Sequence, residues 1–260
     1  MEKGYHSSTI QRALDILNLF KDHKTLSFTE IQKLLRYNKT TLFRVLSVLQ
    51  HNRYLTKNED GGYQLGLNIF ILGNRMSAEY QLKKIAAPFM KKLAEETDLT
   101  VHLGILEGTN VVIIEKAEPN RMIQMVSRIG SSVPAHCTGQ GKTLLAFSPK
   151  ATVEKVINSQ GLTRYTPQTI TTANHLFEEL ANIRRLGYAV DNSEHEKDIR
   201  CVAVPILNET GKIEAALSIT GTTTNIQGEE TIKKYKDLLI EVREEIGNEM
   251  GYGRNRNSIS

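Results

Sequence analysis

The sequence predicts an α+β protein: an N-terminal winged helix-turn-helix, a linker helix and a C-terminal domain built on an antiparallel sheet. Three observations predict it. Three helical periodicities followed by a hairpin fill the first 66 residues. An apolar-rich helical segment without Pro follows over 67–80. From Gln81 onward, hairpin-forming strands alternate with helices.

The first helix spans 8–22, with Ile10, Ala13, Leu14, Leu17 and Phe20 at three- and four-residue spacing. The second spans 27–35, and its Ser27 and Glu30 form an S-x-x-E capping box. After a polar turn, the third runs over 39–52, capped by Asn38, with Leu42, Val45, Leu46 and Leu49 inward. Strands at 54–57 and 63–65 flank the turn Asn58-Glu59-Asp60-Gly61-Gly62. We therefore read 1–66 as the winged helix, 67–80 as the linker helix, 81–250 as a second domain and 251–260 as a disordered tail. In the second domain we expect helices at 82–97, 142–147, 152–159, 174–186 and 228–250. Strands are expected near 101–107, 111–118, 122–128, 188–190, 201–207 and 213–220, whereas 131–134 reads as a poor strand.

Charge is unevenly placed. The 260-residue chain has a formal net charge of +4. Residues 1–66 hold ten Lys/Arg against six Asp/Glu, and the remainder holds 23 of each. A basic patch on an otherwise neutral chain suits a polyanion. The outer face of the third helix carries Lys39, Thr40, Thr41, Arg44, Ser47 and His51. A helix fits the major groove with its N-terminal half on base edges, where Arg44 can pair with guanine. Lys39 and the helix N-terminus suit a phosphate. We take Asn38, Lys39, Thr40, Thr41, Arg44, Ser47 and, on the wing, Lys57 as candidate contacts to double-stranded operator DNA.

Other chemistries fit less well. Gly141-Lys142-Thr143 resembles the end of a phosphate-binding loop, but His136 stands where its first Gly belongs. His136-Cys137 adjacency does not build a catalytic pair, and no metal-ligand spacing links the His and Cys residues. Glu194 and Glu196 read as a solvated loop. Cys137 and Cys201 read as free thiols. No signal peptide or membrane span is readable, so a cytoplasmic chain without metal or cofactor is expected.

Small residues at 134–143 run into a helix that Thr138 can cap, leaving the N–H groups of Gly139, Gln140 and Gly141 at its positive end. Such a site accepts a carboxylate without an Arg. Ser218 and Thr220, two apart on one strand, face the same side.

The stretches TIQRALDILNLF, NKTTLFRVLSVLQHNRYL, GGYQLG, PAHCTGQGKTLLA, GYAVDNSEHEKDIRCVAVPI and AALSITG occur in one order along the chain. In that order they resemble the IclR family of transcription regulators. The resemblance implies that the second domain is a GAF-like effector domain. It also implies a homodimer or dimer of dimers, often a repressor, answering to a small organic acid. Carried over residue by residue, the effector positions are Met125, Val133, Gly139, Gln140, Asp191, Cys201, Ser218 and Thr220. Asp191 would repel a bare anion, so an acid that also bears hydroxyl or carbonyl groups is favoured. One departure is Asp198-Ile199, where the family often has Gly, and it is expected to stiffen or reshape the 193–200 loop. The competing reading is a small-molecule enzyme whose winged helix serves protein contacts; the charge asymmetry favours the regulator.

Overall fold

The computed structural model describes residues 8–79, 81–119 and 127–252. The chain divides into two compact units, Met1–Tyr80 and Gln81–Ser260.

In the first unit, α1 (Ser8–Leu19), α2 (Phe28–Leu35) and α3 (Lys39–His51) precede a hairpin of β1 (Leu55–Lys57) and β2 (Tyr63–Leu65), then α4 (Leu67–Glu79). Local signals set these boundaries. Ser27 and Glu30 complete a reciprocal capping box, and Asn38 Oδ1 accepts from the Thr41 N–H at 2.8 Å. The core unites Ile16, Phe20 and Ile31 with Leu42, Leu46 and Leu49 of α3 and Leu55 and Tyr63 of the wing. Two details differ from expectation. The covered stripe of α1 runs Ala13, Ile16, Leu17, Phe20, while Ile10 and Leu14 are exposed. Both ladders have helical spacing, and only the packing of α2 and α3 selects between them. Leu26 also pairs with Tyr63 through two backbone hydrogen bonds, so the α1–α2 connection adds a bridge to the wing.

The second unit opens with α5 (Gln81–Thr97), β3 (Thr100–Glu107), β4 (Asn110–Ala117) and β5 (Ser132–Pro134). Then come α6 (Gly139–Ala146), α7 (Lys150–Gln160), α8 (Ala173–Leu186), β6 (Ala189–Asn192), β7 (Ile199–Leu207), β8 (Ile213–Thr222) and α9 (Gly228–Glu249). The strands form one antiparallel sheet in the order β5-β4-β3-β8-β7-β6. Alternation along each strand sends Val101, Leu103, Val202, Val204, Leu217 and Ile219 to one face, under Met90 and Leu93 of α5 and Leu239 and Ile246 of α9. The opposite face buries Val111, Ile113, Ala189 and Ala216 with Leu144 and Leu145 of α6 and Leu176, Leu180 and Ile183 of α8.

The segment read as a poor strand is β5, paired to the outer edge of β4. A proline at a sheet edge leaves no ladder donor missing, so Pro134 is compatible with that place. Helix α6 begins at Gly139, three residues before the expected start, because the Thr138 cap acts. The strand expected at 122–128 lies, but for its last two residues, outside the described residues. Most of the expected tail, 253–260, lies outside them too.

Candidate functional site

In the first unit, the outward face of α3 presents Lys39, Thr40, Arg44 and Ser47 to solvent, with Asn38 exposed just before it. Thr41 is half-buried. The Asn38 carbonyl is committed to capping, which leaves its amide N–H2 as the group that could reach DNA. Lys57 lies apart on β1, its ammonium 5.0 Å from the centre of the Tyr63 ring, a cation–π contact that steadies it on the wing. The α3 residues thus share one surface, and Lys57 belongs to a separate element.

In the second unit, β3, β8 and β7 bring His102, Ser218 and Ala203 into register, and Cys201 beside Thr220. Cross-strand partners project to the same face, so His102, Cys201, Ser218 and Thr220 floor a cavity under the N-terminus of α6. Its volume is about 110 Å³, room for a small organic molecule. Val133, Gly139, Gln140, Asp191, Cys201, Ser218 and Thr220 all line it. Met125 lies outside the described residues.

Each lining group has a distinct state. His102 is buried between Thr220 Oγ1 at 3.2 Å and Ser127 Oγ at 2.7 Å. Burial, helped by Lys116, lowers its pKa to about 4, so the ring is neutral and offers one donor and one acceptor. Ser218 is 1% exposed, and its Oγ has no hydrogen-bond partner of good geometry. A thiol is only a weak hydrogen-bond partner, so this hydroxyl keeps capacity for a stronger one. The Ser218 and Thr220 hydroxyls both act on the Cys201 thiol, yet burial pushes that thiol up to about 11. Burial likewise raises Asp191 to about 7, against the Glu194 N–H, which donates to Asp191 Oδ1 at 2.8 Å.

Helix α6 supplies the positive end. The Gly141 N–H is taken by Thr138 Oγ1 at 3.2 Å, so of the three N–H groups expected there it is not available. Those of Gly139 and Gln140 belong to the first turn and have no acceptor within the helix. No Lys or Arg is among the described lining residues. The Gln140 amide donates to the carbonyls of His102 (3.1 Å) and Ala216 (2.9 Å). It therefore stitches α6 to β3 and β8, leaving only its carbonyl oxygen uncommitted on that side chain. Gly139 is tight against the floor: a Cβ there would lie 3.0 Å from Cys201 Sγ.

Sequence reasoning missed the ion cluster behind the cavity. Lys142 is 1% exposed, and its Nζ bonds Glu179 Oε1 at 2.7 Å, Glu194 Oε1 at 2.5 Å and the Val190 carbonyl at 2.9 Å. Lys142 is turned inward, away from any phosphate role. Glu194, expected in solvent, is buried by this pairing, while Glu196 stays exposed. The loop 193–198 is held further by Thr166 and Thr169, whose hydroxyls donate to the carbonyls of Ser193 (2.7 Å) and Glu194 (2.6 Å). It brings His195 and Glu196 to the cavity, and Ile199 joins them from the start of β7. His102, Ile113, Ser127, Ser131 and Thr138 are further lining residues not singled out as ligand contacts in the sequence. Alternation along β3 gives His102 a defined side, but only the pairing with β8 says which side holds the cavity. No group of three or more His, Cys, Asp or Glu among the described residues is arranged to hold a metal ion. No described helix is long and apolar enough to cross a membrane.

Comparison with known proteins matches both units. Residues 9–59 match the IclR helix-turn-helix domain, and 75–248 match the bacterial transcriptional regulator IclR C-terminal domain. The HTH-type transcriptional regulator XynR of Escherichia coli is 34% identical over 94% of this chain and 97% of its own length. The repressor AllR of E. coli is 29% identical over 96% and 92%. Thermotoga maritima IclR superposes with a TM-score of 0.76 at 33% identity, covering 95% of this chain and all of its own. An IclR homologue from Microbacterium hydrocarbonoxydans, solved with 4-hydroxybenzoate, gives 0.80 at 25% identity over 92% and 99%. The helix-turn-helix with its wing, and the α+β unit that follows it, are thus those of a known lineage, and the chain belongs to the IclR family of bacterial transcriptional regulators.

Proposed function

We propose that this regulator is a repressor that reads operator DNA through α3 and is controlled by a small organic acid seated under α6. The observation that carries the effector site is the cavity beside the α6 N-terminus, with the Ser218 hydroxyl buried in its floor and engaged only weakly, by the Cys201 thiol. A carboxylate there would accept from the Gly139 and Gln140 N–H groups, at the positive helix end, and from Ser218. Thr220, oriented by neutral His102, and Asp191 suit ligand hydroxyl or carbonyl groups, and Val133, Ile113 and Ile199 supply apolar walls. The bound 4-hydroxybenzoate of the Microbacterium homologue supports an acid of this size.

Operator contacts are assigned to Asn38, Lys39, Thr40, Thr41, Arg44 and Ser47, with Lys57 on the backbone beside the wing. The acting species is a homodimer or dimer of dimers in the cytoplasm, each dimer spanning half-sites about 34 Å apart or a multiple of it. Leu67, Phe70, Ile71 and Leu72 of α4 are exposed, and such apolar side chains suit a second copy. Residues 67–80 would link a DNA-binding domain, 1–66, to an effector domain, 81–250. No turnover is required of the site: burial pushes Cys137 up to about 12 and Cys201 to about 11, which leaves both thiols poor nucleophiles.

An effector shifts operator affinity only through unequal affinity for two arrangements of the protein. A thermal-shift screen of small hydroxy and keto acids, followed by titration of each hit into the protein bound to DNA from upstream of its own coding region, tests the coupling. Hits that loosen the complex are expected. Acids that bind the cavity and all leave DNA affinity unchanged would break it.

A further inference from the structure

The outer face of α3 carries two large apolar side chains, Phe43 and Val48, and Phe43 is the one in its N-terminal half. Phe43 is 62% exposed, in the second turn of the helix, and is not part of the core formed by Leu42, Val45, Leu46 and Leu49. Residues three and four apart are neighbours on a helix surface, so Phe43 lies beside Lys39, Thr40 and Ser47. All three are exposed, and Arg44 follows in sequence. Phe43 therefore stands among the groups assigned to DNA, in the N-terminal half of the helix that approaches base edges.

The floor of the major groove presents one apolar group, the C5-methyl of thymine, and a phenyl ring is among the side chains that contact it. We infer that Phe43 is a specificity-determining residue that reads a thymine methyl, on a base pair adjoining the guanine offered to Arg44. The inference rests on the operator-reading role of α3. It adds a base preference that hydrogen bonding cannot supply, because the methyl has no donor or acceptor.

The test uses wild type and Phe43→Ala, each used to select binders from a randomised duplex pool. Every thymine in the selected wild-type half-site is then replaced in turn by deoxyuridine, which removes only the methyl. Affinities are measured by fluorescence anisotropy at fixed salt. One replacement should weaken wild type about fourfold, the worth of one buried carbon. The same replacement should leave Phe43→Ala unchanged, and Phe43→Leu should keep part of the effect. Phe43 packs outside the core, so the variants should melt with wild type. If no replacement weakens wild type, or the loss is equal in Phe43→Ala, the inference fails while operator reading stands. If neither protein selects any sequence, operator reading fails and takes the inference with it. A variant that changes only the oligomeric state would assign Phe43 to a protein contact instead.

Discussion

Replacing Asp191 with Asn should stabilise the protein at alkaline pH and have little effect in acid. Asp191 is buried beside Cys201 and α6, and burial lifts its carboxyl from an ordinary 3.8 to about 7. The sign follows from linkage. Folding raises the pKa, so the native state holds this proton more tightly than the unfolded chain. The contribution is complete below pH 3.8 and is lost as pH rises through about 7. A rise of about three pH units at about 1.4 kcal/mol each sets a ceiling of about 4 kcal/mol. Asn keeps the acceptor oxygen that meets the Glu194 N–H at 2.8 Å, and it carries no charge at any pH. Urea unfolding followed by circular dichroism, repeated from pH 4.5 to pH 8, should show the two proteins diverging as pH rises, with Asp191→Asn the more stable at pH 8. Parallel curves, or a variant less stable at pH 8, would refute the assignment of a burial-raised carboxyl. Binding of a small acid should also weaken in wild type as pH passes about 7, because a second negative charge then faces the ligand.

Three further outcomes follow from the same cavity. Lys142→Met leaves Glu194 buried without its cation and should cost about 3–5 kcal/mol in unfolding experiments; adding Glu194→Gln should recover part of that loss. Gly141→Ala places a Cβ 2.2 Å from the Ala135 carbonyl oxygen, so the backbone at the head of α6 must move, at a cost of about 3 kcal/mol by the same assay. Ser218→Ala removes a hydroxyl whose contact in the free protein is a weak one, to the Cys201 thiol. Its stability should stay within about 1 kcal/mol of wild type, while calorimetry should show acid binding weakened about tenfold.

What the sequence made legible depended on how local each signal was. Ser27 with Glu30, Asn38, Thr138 and Gly187 announce helix ends through contacts a few residues long, and α2, α3, α6 and α8 carry those caps or stops. The paired Ser218 and Thr220 needed only the two-residue period of a strand. Features set by distant partners were not legible. Glu194 is drawn inward by a lysine 52 positions away, and a chain reading sees only a polar loop around it. The α1 stripe has two equivalent ladders until α2 and α3 cover one. His102 gains its place from pairing with a strand more than a hundred residues later. Asp198-Ile199 sits at the head of β7; the Asp198 backbone carbonyl accepts from the Thr223 N–H at 2.9 Å, as that of a Gly would, whereas the Ile199 side chain forms cavity wall, which Gly could not supply.

The central claim is that α3 reads a sequence. It is tested most directly by fluorescence anisotropy of the full chain on DNA from upstream of its own coding region, across a salt series, with unrelated DNA as reference and Arg44→Ala alongside. The account predicts tight, salt-sensitive binding that prefers the upstream fragment, with Arg44→Ala losing about 1–3 kcal/mol on that fragment. Binding that is equal on both duplexes and indifferent to Arg44→Ala, with and without added acids, would contradict it.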